Sequence, residues 1–289
     1  MSATASTYGP EWSASFRRGT DAELRGWVEA ALGWCDEADA IARQHYRRDL
    51  EITRKPDTTF VTQADTGIER LLRDRIAAKF PAHGVLGEEY GDDAGGASIR
   101  WIIDPIDGTH NYLRGVPLFA TLIAVERDGE LQTAVISAPA LGMRWHAWRG
   151  GGAWVRGGSW GASEHRIRVS GIATVEEAQV LYASTIELES YGRAPGWRTL
   201  IDRAWRERGF GDFWGYTLVA EAAAEVMVES DLSAWDAAAP LVLVEEAGGR
   251  ATDFDGNRSV YNRTFVVTNG RLHDEVLAIL SAPTEGSAR

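Results

Sequence analysis

Two aspartates follow a bulky apolar run near the middle of the chain. Residues 101–103 are Trp-Ile-Ile, which suits a buried strand, and Asp104-Pro105-Ile106-Asp107-Gly108-Thr109 comes directly after it. Proline and glycine interrupt strand pairing, so the carboxylates of Asp104 and Asp107 can turn toward one point. Two such oxygen ligands favour a hard divalent cation. Asp-Pro and Asp-Gly are also common in ordinary turns, and the run alone leaves both interpretations open.

Three further segments carry acids in positions that could serve the same site. Glu88 and Glu89 follow an apolar pair, the Thr-rich segment 58–62 leads to Asp65 before a helical pattern, and Asp236 opens a strongly apolar helix. With the Asp104 run, these motifs in this order resemble the inositol monophosphatase superfamily of magnesium-dependent, lithium-sensitive phosphatases. The resemblance covers roughly residues 55–249, and the combination is far more specific than any single motif.

The resemblance implies a site with two or three Mg²⁺ ions. The first ion would be held by Glu88, Asp104 and the backbone carbonyl of Ile106. The second would be held by Asp104, Asp107 and Asp236, so that Asp104 bridges the two, and a third, weaker ion would lie near Glu88.

The resemblance also assigns groups that act on the substrate. Thr109 would orient the attacking water, with Asp65 as its acidic hydrogen-bond partner. The backbone N–H groups of Gly108 and Thr109 would bind phosphate oxygens. Taken alone, Asp65 and Asp236 could instead be carboxylates that simply favour a helix N-terminus.

Substrate choice depends on residues over the leaving group. Within the superfamily, the sequence looks most like the histidinol-phosphate phosphatases of bacterial histidine biosynthesis. This narrower resemblance lies in residues 114–117, residues 209–214 and the helix that begins near Trp235. By resemblance, Glu229 would contact the substrate alcohol, as would Asp236 near it. A carboxylate at Asp212 would suit the ammonium group of histidinol phosphate, although Asp212 could equally be a helix N-cap before Phe213. His110 could contact the phosphate or the imidazole ring, or face solvent.

Several other functions stay open from the sequence. The nearest is an inositol-1-phosphate or broad-specificity phosphatase. Fructose-1,6-bisphosphatase and adenosine bisphosphate nucleotidase are less favoured, because no convincing Lys/Arg cluster for a second phosphate is visible. Some members of the superfamily instead act in transcription antitermination as binding partners of RNA polymerase. The histidines lack zinc-binding spacing, and no Gly-x-Ser-x-Gly motif supports a serine hydrolase.

Composition restricts the partners and the location. The 289 residues carry 30 Lys and Arg against 42 Asp and Glu, a net charge of −12, which argues against a nucleic-acid surface. An anionic substrate would then need bound cations for attraction. The single cysteine, Cys35, excludes an intrachain disulfide and is expected to be a small buried filler. Without a signal-peptide pattern or an apolar run of about 20 residues, we expect a cytoplasmic protein that does not enter a membrane.

Hydrophobic periodicity predicts the elements that would position these residues. It predicts a long helix from Asp21 to about Ile41, a helix after Asp65 with Ile68, Leu71, Leu72 and Ile76 facing inward, and a meander of strands at 118–125, 131–137 and 143–148. Residues 128–129 read as a hairpin turn and Arg149 to Gly152 as a tight turn. Further on, strands near 179–183, 251 and 265–268 alternate with helices near 196–208, 213–224, from 235, and 273–280.

This pattern predicts an α/β (α+β) protein in two halves. An N-terminal α+β half, residues 1–157, would carry the metal motifs, and a C-terminal α/β half, residues 158–289, would carry Asp236 and the specificity residues. The resemblance implies a five-layered αβαβα sandwich, with the active site between the halves, and a homodimer.

Overall fold

The computed structural model describes residues 18–48, 51–54, 60–93, 95–158 and 162–282. The first part of the chain forms two long helices, a small antiparallel strand pair, a large sheet and one short helix. These elements are α1 (Asp21–His45), β1 (Ile52–Arg54), β2 (Phe60–Thr62), α2 (Gln63–Lys79), β3 (Gly84–Gly87), β4 (Gly91–Asp92), β5 (Ile99–Asp107), α3 (Thr109–Arg114), β6 (Ala120–Arg127), β7 (Glu130–Ala138), β8 (Met143–Trp148), β9 (Gly152–Gly157) and β10 (Ala162–Ile167).

The second part alternates strands and helices. Its elements are β11 (Gln179–Tyr182), α4 (Thr185–Ser190), α5 (Ala194–Arg203), β12 (Arg206–Arg208), α6 (Asp212–Ala220), β13 (Val226–Ser230), α7 (Ala234–Glu246), β14 (Arg250–Thr252), β15 (Thr264–Thr268) and α8 (His273–Ser281).

The two main sheets differ in how their strands pair. The larger sheet has the order β10-β9-β8-β7-β6-β5-β3-β4, and only β3 and β5 run parallel in it. The smaller sheet has the order β12-β11-β13-β15-β14, with parallel pairs on both sides of β11 and antiparallel pairs at β15. Strands β6 and β7 are almost entirely buried, as expected for a sheet that is covered on both faces.

The structure has five layers held together by three hydrophobic cores. The first lies between α1 and α2 and the larger sheet, around Trp27, Leu72 and Trp101. The second places α6 and α7 between the two sheets, and the third packs α4, α5 and α8 on the far side of the smaller sheet. Helix α7 is apolar on nearly all sides because it contacts a sheet on each side. The αβαβα sandwich is therefore confirmed.

Most of the predicted elements are present, with two clear errors. The predicted helix at 196–208 ends at Arg203, and residues 206–208 form the edge strand β12. In α2, Leu71 is only half-buried, while Glu69 is buried completely. The turn at Arg149 to Gly152 between two strands and the hairpin at Asp128 and Gly129 are confirmed.

Strand β10 pairs with β9 and so belongs to the larger sheet, although it lies beyond residue 157. The division of the chain into halves at residues 157 and 158 remains an interpretation. Cys35 is fully buried, and burial raises the pKa of its thiol to about 12, consistent with an inert filler. Among the described helices, none is both long enough and apolar enough to cross a membrane.

Candidate active site

Strand β5 delivers the first two carboxylates. Its pairing with β6 shifts register between Asp104 and Asp107, so the intervening residues bulge out of the ladder. The carbonyl of Pro105 in this bulge accepts a hydrogen bond from the Thr121 hydroxyl at 2.8 Å. Both aspartates are buried. The sequence therefore anticipated the interruption, although the strand itself continues to Asp107.

The third carboxylate comes from the first turn of α7. Asp236 accepts a hydrogen bond from the Ser233 N–H at 2.6 Å and so helps cap this helix. One carboxylate oxygen from each of Asp104, Asp107 and Asp236 lies within 4.8 Å of the other two. Residues that are more than 100 positions apart in the sequence thus meet at one point.

Burial and mutual repulsion make these carboxylates costly to ionise. Burial, followed by the charges of Glu88, Asp107 and Asp236, holds the pKa of Asp104 well above its usual range. Burial, followed by the charges of Asp212 and Asp236, does the same for Asp107. Burial raises the pKa of Asp236 to about 7 despite its bond to Ser233.

The donor set fits a divalent cation. Within the described residues, the Oδ1 atom of Asp104 is buried and has no hydrogen-bond partner. An unpaired buried carboxylate oxygen is costly, and a hard cation is the partner that oxygen ligands favour. A bound cation would also offset the cost of burial and the repulsion that together raise the pKa values of these converging carboxylates. Asp104, Asp107 and Asp236 could therefore hold a metal ion.

Glu88 and Ile106 lie beside this cluster. Glu88 is half-buried on the turn after β3, and its charge raises the pKa values of Asp65, Asp104 and Asp236. The Ile106 side chain packs in the first core, and its carbonyl oxygen accepts the Thr109 hydroxyl at 2.9 Å.

Asp65 is in the first turn of α2 and is completely buried. Its Oδ2 accepts the backbone N–H of Thr62 at 2.8 Å and the Thr62 hydroxyl at 2.5 Å, while its Oδ1 lies 3.5 Å from the Thr109 hydroxyl. Burial raises the pKa of Asp65 to about 6, and the Thr62 hydrogen bonds oppose this rise. The Asp65 carboxylate therefore caps the helix and also faces Thr109, and its role in orienting the attacking water stays a prediction. Thr58 and Thr59 of this motif lie outside the described residues.

A glycine allows the turn before α3. Gly108 has φ of 80°, and a Cβ atom there would lie 2.9 Å from the carbonyl oxygen of Leu118. At the other end of α3, the Gly115 carbonyl accepts hydrogen bonds from Tyr46 and Arg47, which ties α3 to the end of α1. The short helix that carries Thr109 is therefore fixed at both ends.

Asp212 joins the site through an unusual backbone. Its φ is 58°, and its carboxylate accepts the Asn111 side-chain amide at 2.9 Å. The next residue, Phe213, donates its N–H to Asp107 Oδ2 at 2.7 Å. The N-cap of α6 is Gly211, so the interpretation of Asp212 as a helix cap is wrong. Burial raises the pKa of Asp212, and the charge of His110 opposes this.

Glu229 is half-buried on β13 and accepts a short hydrogen bond from the Tyr216 hydroxyl. Burial and the charge of Asp212 hold its pKa well above the usual range, although the Tyr216 bond acts in the other direction. His110 is exposed, and its ring packs edge-on against Phe60 at 5.6 Å between centroids.

The sequence analysis missed three residues that belong to this region. Glu187 on α4 is half-buried, and burial with the charges of Asp231 and Asp212 raises its pKa. Tyr216 supports Glu229, and Asn111 supports Asp212. The Asn111 position, two residues after Thr109, was a local signal. Glu187 and Tyr216 carried none, because their partners are distant in the sequence.

The site lies in a chain that matches one family model almost throughout. The model is that of the inositol monophosphatase family, and it matches residues 23–284. The chain belongs to this family. Its members are metal-dependent phosphoric monoester hydrolases.

Individual members of the inositol monophosphatase family are similar over most of their length. The chain is 44% identical to the histidinol-phosphatase of Mycobacterium tuberculosis over 87% of this chain and 96% of that protein. It is 43% identical to the histidinol-phosphatase of Streptomyces coelicolor over 85% of this chain and 93% of that protein. Among solved structures, the extragenic suppressor protein SuhB of Bartonella henselae superposes with a TM-score of 0.80 at 26% identity, covering 89% of this chain and 98% of that one.

Proposed function

We propose that the protein is a Mg²⁺-dependent histidinol-phosphatase of histidine biosynthesis, which hydrolyses L-histidinol phosphate to L-histidinol and phosphate. The observation that carries this proposal is a second set of acidic residues beside the cluster of Asp104, Asp107 and Asp236. Asp212, Glu229 and Glu187 come from three different elements, and burial followed by nearby charges that include Asp212 raises the pKa values of both glutamates. A cationic alcohol suits such a pocket, because an ammonium group pairs well with carboxylates.

In this proposal Glu88, Asp104 and the Ile106 carbonyl would hold one ion, and Asp104, Asp107 and Asp236 would hold a second. A third would lie near Glu88. Bound cations in such sites neutralise charge on the phosphate and lower the pKa of water. Mg²⁺ suits the oxygen-only donor set.

The side chains of this protein would orient the reactants. Thr109 would hold the attacking water, and Asp65, fixed by two bonds to Thr62, would orient the Thr109 hydroxyl. In the structure that hydroxyl is closer to the Ile106 carbonyl, at 2.9 Å, than to Asp65, at 3.5 Å. The Asp65 carboxylate would therefore compete with the Ile106 carbonyl for the one hydrogen bond that the Thr109 hydroxyl donates. The N–H groups of Gly108 and Thr109 would bind phosphate oxygens.

The acidic pocket would bind the leaving group. The Asp212 carboxylate would accept a hydrogen bond from the substrate ammonium group, and the Asn111 amide would hold that carboxylate in place. Glu229 and Asp236 would contact the alcohol side of the ester, and Tyr216 would orient Glu229. Glu187 and His110 would line the entrance on the imidazole side.

Phosphate release tests the proposal directly. The purified protein is assayed with Mg²⁺ on L-histidinol phosphate and on inositol 1-phosphate, each with and without chelator. We expect chelator-sensitive turnover that strongly favours histidinol phosphate. A preference for inositol phosphate would reject the substrate while keeping the phosphatase, and no turnover of either would favour a binding role in transcription instead.

We also propose the homodimer and the cytoplasmic location that the sequence led us to expect. Cys35 is the single cysteine and is buried, so the fold uses no intrachain disulfide, which is compatible with a reducing compartment. Light scattering after size exclusion tests the dimer, and a monomeric mass at micromolar concentration would contradict it.

A further inference from the structure

Glu69 is a fully buried carboxylate that no catalytic role explains. It lies one helical turn after Asp65 on α2, so both side chains project from the same face. Its Oε2 accepts the backbone N–H of Glu89 at 2.7 Å, and its Oε1 accepts the N–H of Tyr90 at 3.1 Å. Glu69 therefore binds the backbone that immediately follows Glu88.

The residue before Glu88 is also fitted to Glu69. A Cβ atom at Gly87 would lie 2.1 Å from Glu69 Oε1, which no side chain could tolerate without movement. Gly87 thus allows the turn to approach the carboxylate closely. Glu88 is held between neighbours on both sides that contact the same group.

Arg73, another turn along α2, completes the clamp. Its Nε donates to Glu69 Oε1 at 2.8 Å, and one terminal nitrogen donates to the Gly91 carbonyl at 2.5 Å. The other terminal nitrogen donates to Asp93 at 2.7 Å, and Asp93 in turn accepts the Val85 N–H at 2.7 Å. The turn from β3 to β4 is therefore bound at its start, its middle and its end.

We propose that Glu69, supported by Arg73, is a positioning residue that fixes Glu88 at the metal site. The inference rests on the proposed function, since it assigns the turn's purpose to cation binding. A carboxylate only accepts hydrogen bonds, so it can hold two N–H groups of one turn, whereas a neutral amide would turn a donor toward one of them. Groups that orient metal ligands typically change metal affinity 10–100-fold when they are altered.

The test is Glu69→Gln, with Mg²⁺ affinity as the measurement. Affinity is read from calorimetric titration and from the Mg²⁺ concentration that gives half of the maximal thermal stabilisation. We expect binding to weaken by about tenfold or more. The kcat at saturating Mg²⁺ should recover most of the wild-type value, because Glu69 does not touch the substrate site.

Glu245→Gln is the matched control. Glu245 is also a buried glutamate paired with arginines, Arg149 at 2.7 Å and Arg258 at 2.8 Å, but it lies at the opposite end of α7 from Asp236. We expect this variant to lose thermal stability with an unchanged Mg²⁺ midpoint. If Glu69→Gln behaves in the same way, Glu69 is only structural and the inference is wrong.

A second variant, Arg73→Lys, tests the inference even if Glu69→Gln does not fold. Arg73→Lys keeps the charge but loses the bond to the Gly91 carbonyl, and it should weaken Mg²⁺ binding by a smaller factor, roughly threefold. An unchanged midpoint in Arg73→Lys would overturn the inference when Glu69→Gln cannot be purified. Absence of any Mg²⁺ stabilisation in the wild type would instead reject the proposed metal dependence itself.

Discussion

At the scale of single residues, the cost of gathering carboxylates predicts the behaviour of Asp104. Its Oδ1 is buried, and burial followed by the charges of neighbouring carboxylates raises its pKa. Asp104→Asn should nearly abolish phosphatase turnover, because the shared cation ligand loses its charge. The same change should raise the melting temperature of the metal-free protein by a few degrees, since it removes repulsion. A phosphate-release assay measures turnover, and calorimetry of the metal-free protein measures the melting temperature. Near-normal turnover would contradict the metal assignment.

Asp212 gives a second residue-scale prediction, about specificity. Asp212→Asn should raise KM for L-histidinol phosphate roughly tenfold or more, the value of a charge-assisted hydrogen bond. Asparagine tolerates the positive φ of this position, so the backbone should persist. Inositol 1-phosphate, which lacks an ammonium group, is the control substrate. An equal rise in KM for both esters would reject contact between Asp212 and the amine.

Local spacing suggested a metal site but did not distinguish it from an ordinary turn, and it gave no sign of the residues that support the site. Asp104, Asp107 and Thr109 are close in sequence, and the resemblance linked them to Asp65, Glu88 and Asp236. Glu187 and Tyr216 escaped notice because a carboxylate or a phenol gains its role from partners that only the fold supplies. Residue type alone does not reveal such a partner.

At the scale of elements, two helices begin with a carboxylate that faces the site. Asp65 and Asp236 each cap the first turn of a helix, so in the proposed mechanism one side chain serves both local stability and function. The hydroxyl of Thr62 caps α2 and donates to Asp65. Capping therefore fixes the orientation of the carboxylate that faces Thr109.

Thr62→Val tests this coupling. The change should cost about 1 kcal/mol in the free energy of unfolding, the usual value of a lost cap. It should also lower kcat, because Asp65 loses one of its two bonds to Thr62. Thr62→Ser keeps the hydroxyl and should resemble the wild type in denaturant titration and in turnover. A normal kcat for Thr62→Val, which loses only the hydroxyl, would contradict this coupling. A fall in kcat for Thr62→Ser alone would instead implicate the methyl group.

The sequence predicted elements well where the apolar pattern was clear. Helix α1 was anticipated from apolar residues that recur along one helix face, and strands β6 to β8 from apolar runs separated by turn residues. Periodicity failed at residues 204–208, where an edge strand continues directly from a helix and only the neighbouring strand β11 distinguishes the two. Periodicity also predicted that Leu71 faces inward from α2. Leu71 is only half-buried, whereas the nearby side chain of Glu69 is completely buried.

At the scale of the whole molecule, a buried histidine makes stability depend on pH. His273 is fully buried between the hydroxyls of Thr252 and Thr268, and burial lowers its pKa to about 3. Below about pH 6.5 the unfolded chain binds a proton that the folded one rejects. The contribution of His273 is therefore complete above pH 6.5 and decreases as the pH falls toward 3.

His273→Gln should flatten this dependence. We expect the free energy of unfolding of the wild type to fall by up to about 1.4 kcal/mol more per pH unit than that of the variant between pH 6 and 4. Urea titrations at several pH values measure the difference. Parallel curves for the two proteins would show that His273 does not set the slope.

The position of α7 between both sheets also bears on how the protein is made. Strands β6 to β8 leave the ribosome before α7, which later covers their inner face, including Leu122, Ile136 and Trp145. Translation at about 5–20 residues per second leaves this apolar face without its cover for several seconds. A nascent chain at this stage exposes apolar surface of the kind that chaperones bind. Asp236, which belongs to α7, has not yet been synthesised. The cluster of Asp104, Asp107 and Asp236 therefore forms only after α7 has been synthesised.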